Sequence, residues 1–147
     1  MSRVLVVDDH AVIRRGVQTI LQPFPEWELC GEADSGQEAV RLAEILRPEI
    51  IIMDVSMPGL NGLEATRIIR ELLPNARILL LTLHSSAELV RSAFRAGARG
   101  YVLKSDAENE LVRALNVIVG DGTYVSPAID GHLAQKAILE EARRAAL

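Results

Sequence analysis

Three stretches of the chain are almost continuously apolar, and each ends in a residue of chemical interest. Residues 3–7 (Arg-Val-Leu-Val-Val) run into Asp8-Asp9, residues 49–53 (Glu-Ile-Ile-Ile-Met) into Asp54, and residues 77–81 (Arg-Ile-Leu-Leu-Leu) into Thr82. These runs do not alternate between apolar and polar positions. A strand of this kind must be covered on both faces, which predicts central strands of a parallel sheet. Two weaker strand candidates follow the same rhythm, at 27–33 (Trp-Glu-Leu-Cys-Gly-Glu-Ala) and 100–103 (Gly-Tyr-Val-Leu).

Between the runs the apolar positions take helical spacing. Ile13, Val17, Ile20 and Leu21 stripe a helix over about 11–22, which Pro23 stops. Ser35 caps a helix over 36–47 whose buried face is Ala39, Val40, Ala43 and Leu46, with Glu38 placed to complete a capping box. Leu63, Thr66, Ile69 and Leu73 stripe 62–73 ahead of Pro74, and Leu89, Val90, Ala93 and Phe94 stripe 86–96 ahead of Gly97. Leu111, Val112, Leu115, Ile118 and Val119 stripe 107–119. Five strands alternating with five helices through short loops predict an α/β sheet of right-handed βαβ units.

The end of the chain has a different character. Gly120-Asp121-Gly122 reads as a turn, Thr123 to Val125 as a short extended piece, and Ser126-Pro127 as a helix start. Ala134, Ile138, Ala142 and Ala145 then fall on one face of a helical tail. The division expected is a domain over 1–120 and a linker with a helical tail over 121–147.

Composition narrows the class. The chain has 147 residues, 49% of them hydrophobic and 24% charged, which suits one globular domain. Aromatics make up only 3%, so the core must be aliphatic. A net charge of −4, with no Lys/Arg cluster, gives no electrostatic footprint for direct nucleic-acid binding. Cys30 is the single cysteine, which excludes an internal disulfide and reads as a small buried hydrophobe. Asp8 and Asp9 interrupt the first apolar run too early for a signal peptide, and no stretch is long enough to span a bilayer; the cytoplasm is the expected location and no membrane contact is expected. No His/Cys set has zinc spacing, and Gly59 and Gly62 lack the Gly-Lys-Ser/Thr of a P-loop. His10 reads as the start of the first helix, and His132 has no visible partner.

In an open parallel sheet the ligand site lies beyond the carboxyl ends of the strands. Here those ends carry Asp8-Asp9, Asp54, Thr82 and, after the fifth strand, Lys104. An Asp or Thr after a strand is most often a helix cap, yet four such endings on one sheet edge point to a site. Clustered carboxylates repel unless a cation sits among them, and oxygen ligands at a wet edge suit Mg²⁺ or Mn²⁺. Lys104 would add charge and Thr82 a hydroxyl donor for an incoming phosphoryl group, leaving Asp54 as the nucleophile for an acyl phosphate. The tight loop Met57-Pro58-Gly59 follows it.

The segment Val-Leu-Val-Val-Asp-Asp-His at 4–10 resembles the acidic pair of response-regulator receivers. Ile-Met-Asp-Val-Ser-Met-Pro-Gly-Leu-Asn-Gly-Leu-Glu at 52–64 resembles their phosphoacceptor loop, and Leu-Leu-Thr-Leu-His at 80–84 and Ala-Gly-Ala-Arg-Gly-Tyr-Val-Leu-Lys at 96–104 their switch segments. The resemblance covers residue 3 to about residue 120, and Gly-Asp-Gly-Thr-Tyr-Val-Ser-Pro at 120–127 resembles the NarL/LuxR (FixJ-type) subfamily, whose receivers precede a helix-turn-helix. It implies a flavodoxin-like (βα)5 doubly wound sandwich around a five-stranded parallel sheet. It further implies that Asp54 receives a phosphoryl group from a sensor histidine kinase, that Asp9 binds Mg²⁺ directly with Asp8 through water, and that Ser56 offers a backbone carbonyl. Thr82 and Lys104 would bind the phosphoryl group, and Tyr101 would be the aromatic whose rotamer tracks Thr82. Ser56 and His84 would flank the attacking water and tune the lifetime of the phosphate. The resemblance also implies a homodimer on phosphorylation, and DNA control through a C-terminal domain absent from this chain. The runner-up, a phosphatase working through an aspartyl phosphate, would need a second acid–base carboxylate where Ser56 stands and a cap domain for which the chain has no insertion. A phosphorylation-independent docking module would have no use for the acidic pair, Thr82 and Lys104 together.

Overall fold

The computed structural model describes residues 2–129; the helix predicted around Ala134, Ile138, Ala142 and Ala145, and His132 with it, lie outside the described residues. In chain order the elements are β1 (Ser2–Val7), α1 (Ala11–Leu21), β2 (Trp27–Ala33), α2 (Gly36–Leu46), β3 (Ile50–Met53), α3 (Gly62–Leu72), β4 (Arg77–Thr82), α4 (Ala87–Ala96), β5 (Gly100–Leu103), α5 (Ala107–Val119) and β6 (Tyr124–Val125). A single 3-10 turn, Lys104–Asp106, joins β5 to α5. All strand pairs are parallel, and the order across the sheet is β2-β1-β3-β4-β5-β6.

The uninterrupted apolar runs are explained by what lies on each face. Leu5, Val7, Ile51, Met53, Ile78, Leu80 and Tyr101 face one way, into a core shared with Ala39 and Ala43 of α2, Ala65 and Ile69 of α3, and Val90 and Ala93 of α4. Val4, Val6, Ile50, Ile52, Leu79, Leu81 and Val102 face the other, against Val17 and Leu21 of α1 and Leu111, Leu115 and Ile118 of α5. Alternation of side chains along each strand therefore feeds two aliphatic cores, and a polar residue on either face would be stranded.

Three details differ from the sequence expectation. The sheet has six strands rather than five, because the extended piece after α5 pairs with β5, Gly100 opposite Tyr124 and Tyr101 opposite Val125. Cys30 is only half buried. The register of β1 on β2 steps from Val4↔Leu29 to Leu5↔Gly31, so Cys30 is the extra residue of a bulge on an edge strand and does not point squarely into a core. The cap of α2 is half of the predicted box: Ser35 accepts from the Glu38 amide at 3.1 Å, while the Glu38 carboxylate turns to Arg41. The reciprocal box stands at α3, between Asn61 and Glu64.

Candidate functional site

β1 is flanked by β2 on one side and β3 on the other, so the crossovers leave its carboxyl end in opposite directions and open a crevice between β1 and β3. Both strands deliver carboxylates there. The Asp8 amide donates to the Ala33 carbonyl at 3.1 Å and the Asp54 amide to the Val7 carbonyl at 2.9 Å, so the ladder continues until each acid is reached. Asp8 and Asp54 are 2% and 3% exposed, which places two carboxyl groups where water cannot fully solvate them.

The local partners are few and specific. Asp8 Oδ1 accepts from the His10 amide at 2.8 Å, and Asp54 Oδ1 from the Ser56 amide at 3.3 Å. The Lys104 ammonium lies 2.8 Å from Asp8 Oδ2 and 3.4 Å from Asp54 Oδ2, bridging the two strands. Burial first, and the Asp8 charge second, push the Asp54 carboxyl above the usual carboxylate range, and Lys104 offsets this only in part. Burial alone would lower Lys104, but its hydrogen bond to Asp8 and the charges of Asp54 and Asp8 raise it overall. Lys104 is thus a cation held in place, and Asp54 a carboxylate short of positive charge.

One ligand atom from each of Asp8, Asp9, His10 and Asp54 lies within 4.8 Å of the others, so a single cation could touch the set. Asp9 is exposed at the rim, and the donors from the three aspartates are carboxylate oxygens, which fit Mg²⁺ or Mn²⁺ better than a soft metal. His10 stands at the start of α1, as expected from sequence, without a side-chain cap bond, its ring 3.0 Å from Asp8 Oδ1 and 3.1 Å from Asp9 Oδ1.

Thr82 ends β4 fully buried, and its hydroxyl accepts from the His84 amide at 3.2 Å. The carbonyl of the same His84 accepts from the Tyr101 hydroxyl at 2.8 Å, and the His84 ring lies 3.0 Å from the Ser56 hydroxyl. Tyr101 is fully buried, so it occupies the inward position, and burial raises its phenol well above the ordinary value. One loop residue therefore touches Thr82, Tyr101 and Ser56. The loop after Asp54 turns through Gly59 at φ +74, and Gly62 sits so close that a Cβ there would lie 2.0 Å from the Asp54 carbonyl oxygen.

Two residues at this edge were not legible in the sequence. Arg14, in the first turn of α1, donates to the Asp8 carbonyl at 2.6 Å and to Glu32 at 3.0 Å, buttressing the acidic turn. Ser126, read as a helix start, is 1% exposed and its hydroxyl accepts from the Leu103 amide at 3.0 Å. Arg14 reaches across to Glu32 and Ser126 to Leu103, and no periodic pattern announces either contact.

Comparison with known proteins shows the family and agrees with the fold. The family described as response regulator receiver domain matches residues 4–116. The response regulator GacA of Pseudomonas viridiflava is 38% identical over 136 residues, covering 92% of this chain and 64% of its own length. The response regulator UvrY of Escherichia coli (strain K12) is 36% identical over 141 residues, covering 96% of this chain and 65% of its own. The chain thus spans less than two thirds of these relatives. Among solved structures, a LuxR-family two-component response regulator from Aurantimonas sp. SI85-9A1 superimposes with a TM-score of 0.87 at 38% identity, covering 94% of this chain and 99% of that one.

Proposed function

The chain belongs to the response regulator receiver family, and from that premise we propose that Asp54 is its phosphoacceptor and that Lys104 and Thr82 bind the transferred group. The observation that carries this reading is the Lys104 ammonium set between two buried carboxylates at the crevice of a parallel sheet. A purely structural lysine has no reason to hold two acids on adjacent strands while one of them remains raised.

Asp8, Asp9, Asp54 and the Ser56 carbonyl would hold Mg²⁺ or Mn²⁺, which when bound neutralises charge on the phosphoryl oxygens. An Asp54 carboxylate oxygen attacks the phosphorus of a phosphohistidine on a sensor kinase. The new O–P bond makes an acyl phosphate, the P–N bond breaks, and its electron pair returns to the kinase imidazole. Lys104 turns from the carboxylates to a phosphoryl oxygen, and the Thr82 hydroxyl donates to another. Moving the Thr82 hydroxyl toward the phosphoryl oxygen draws it away from the His84 amide that now donates to it, and His84 in turn holds the Tyr101 hydroxyl through its carbonyl. Phosphorylation is thereby read as a shift between two arrangements of this loop and of Tyr101. The Ser56–His84 contact crosses the rim over Asp54 and would govern water entry, hence the lifetime of the phosphate.

The protein is on this reading a signalling phosphoacceptor that works in the cytoplasm, catalysing only its own phosphorylation and hydrolysis. Among the described residues no helix is long and apolar enough to cross a membrane. A role in transcription control is proposed by likeness to relatives named as a transcriptional regulatory protein and a response regulator, and a homodimer favoured by phosphate is proposed with it.

The test is direct. The purified chain is incubated with Mg²⁺ and a small-molecule phosphodonor and weighed beside Asp54→Asn. One added phosphoryl group is expected, dependent on the metal and missing in the variant. No labelling in a folded chain would instead favour a docking module with a relic pocket.

A further inference from the structure

Among the described residues, five polar or charged side chains are buried: Asp8, Asp54, Thr66, Thr82 and Ser126. Three belong to the site above, and the Thr66 hydroxyl donates to the Gly62 carbonyl within its own helix at 2.7 Å. Ser126 remains. It lies beyond the stretch matched by the receiver family, which ends at residue 116. Its position on β5 is nonetheless specific. Its amide donates to the Tyr101 carbonyl at 2.9 Å, the Tyr124 amide donates to the Arg99 carbonyl at 3.0 Å, and its hydroxyl accepts from the Leu103 amide at 3.0 Å. Residues 124–126 thus occupy successive backbone groups along the outer edge of β5.

We propose that Ser126 is a positioning residue for Lys104, and that through it the course of the chain after β6 is coupled to phosphorylation of Asp54. The proposal rests on the receiver reading given above. Leu103 is the last residue of β5 and immediately precedes Lys104. Without the Ser126 hydroxyl its amide would be a buried donor with no acceptor, which a strand end relieves by shifting. Lys104 follows directly, so a shift of the Leu103 main chain moves the base from which the ammonium reaches Asp8 at 2.8 Å and Asp54 at 3.4 Å. The same strand carries Tyr101, whose hydroxyl binds the His84 carbonyl next to Thr82. β5 therefore meets the site through Tyr101 and through Lys104, which directly follows it, and its outer edge is covered by β6 at Gly100 and Tyr101 and by Ser126 at Leu103.

The far side of the segment is equally anchored. The Ile129 amide donates to the Ser126 carbonyl at 3.1 Å, and Ile129, 2% exposed, packs in the same core as Tyr101. At the other end Asp121 pairs with Arg77 at the start of β4 and accepts from Arg99 beside β5. A segment pinned at both ends, with its centre on the strand that leads into Lys104, would respond when that strand moves. By linkage the reverse holds too: altering residues 123–129 alters the affinity of the site for the phosphoryl group.

The experiment follows amide hydrogen exchange in the whole chain, with Mg²⁺ alone and with Mg²⁺ plus beryllofluoride, which mimics a phosphoryl group on a carboxylate. Beryllofluoride is expected to change exchange of residues 123–129 by about fivefold or more, the lower end of usual coupling, alongside a change at residues 83–86. Ser126→Ala is expected to abolish the response at 123–129 and to slow labelling of Asp54 several-fold, and Ser126→Thr, which keeps the hydroxyl, to restore both. A response at 83–86 with none at 123–129 in the unaltered chain would overturn the coupling while leaving the receiver reading intact. A Ser126→Ala chain that melts earlier but labels at the normal rate would reduce Ser126 to a structural residue. Absence of any response around Asp54 would remove the phosphoacceptor reading and this proposal together.

Discussion

At the scale of single residues, Asp54 is stabilising for function and costly for the fold. Its carboxyl is raised by burial and by Asp8 despite the nearby Lys104. The folded state therefore binds a proton more tightly than the unfolded chain, so stability falls as pH rises from the ordinary carboxylate value of about 4 through the raised one. In metal-free protein at neutral pH, Asp54→Asn removes this penalty, and its melting temperature should exceed that of the unaltered chain by a few degrees. Lys104 keeps its shorter contact, to Asp8 at 2.8 Å, in the variant. The difference should shrink toward pH 4 and on adding Mg²⁺, which stabilises only the form that binds it. Calorimetry at two pH values with and without metal checks all three expectations. A second residue-scale prediction concerns the rim. His84→Ala removes the ring that lies 3.0 Å from the Ser56 hydroxyl, and the phosphorylated chain should lose its phosphate several-fold faster while still labelling fully. Decay followed by intact mass decides it; an unchanged rate would strip His84 of its tuning role.

At the scale of elements, the loop from Asp54 into α3 is tightly constrained. Asn61 and Glu64 satisfy each other's backbone donors, so Asn61→Ala should cost about 1 kcal/mol, read as a lower denaturant midpoint with unchanged slope. Gly62 is a different case, because its added Cβ would meet backbone rather than a movable side chain: the Asp54 carbonyl oxygen at 2.0 Å and the Val55 Cα at 2.9 Å. Gly62→Ala should cost about 1–3 kcal/mol or more and should also slow labelling of Asp54, whereas Asn61→Ala should leave labelling near normal. Comparing midpoints and labelling rates for the two variants separates a cap from a site support. The same elements show what local patterning could and could not reveal. Gly97 at the end of α4, with φ +109, was legible as a helix stop. Which of two Glu residues closes a capping box was not, because Glu38 has Arg41 one turn on as a competing partner. Nor was the bulge at Cys30, since it arises from the registration of β2 on β1, not from β2 itself.

At the scale of the whole molecule, phosphorylation is expected to change association. The labelled chain should elute earlier than the unlabelled one on a sizing column, and Asp54→Asn should stay in the unlabelled position under the same conditions. Equal elution of both forms would place the switch in an intramolecular contact instead. The larger division is between order along the chain and proximity across it. The sequence by itself determined the five main strands and five helices, because a strand buried on both faces must be apolar throughout and a surface helix must be apolar on one stripe. It also determined that Asp8, Asp9, Asp54, Thr82 and Lys104 share one sheet edge, since every strand of a parallel sheet points the same way. Only the tertiary structure decided that Lys104 bridges Asp8 and Asp54, that Arg14 props the acidic turn, that His84 links Thr82 to Tyr101, and that Ser126 closes the edge of β5. Those contacts are single hydrogen bonds and ion pairs, some between neighbours in the chain and some between distant strands. Burial patterns are periodic and can be read from a sequence, whereas one specific polar contact leaves no period to read.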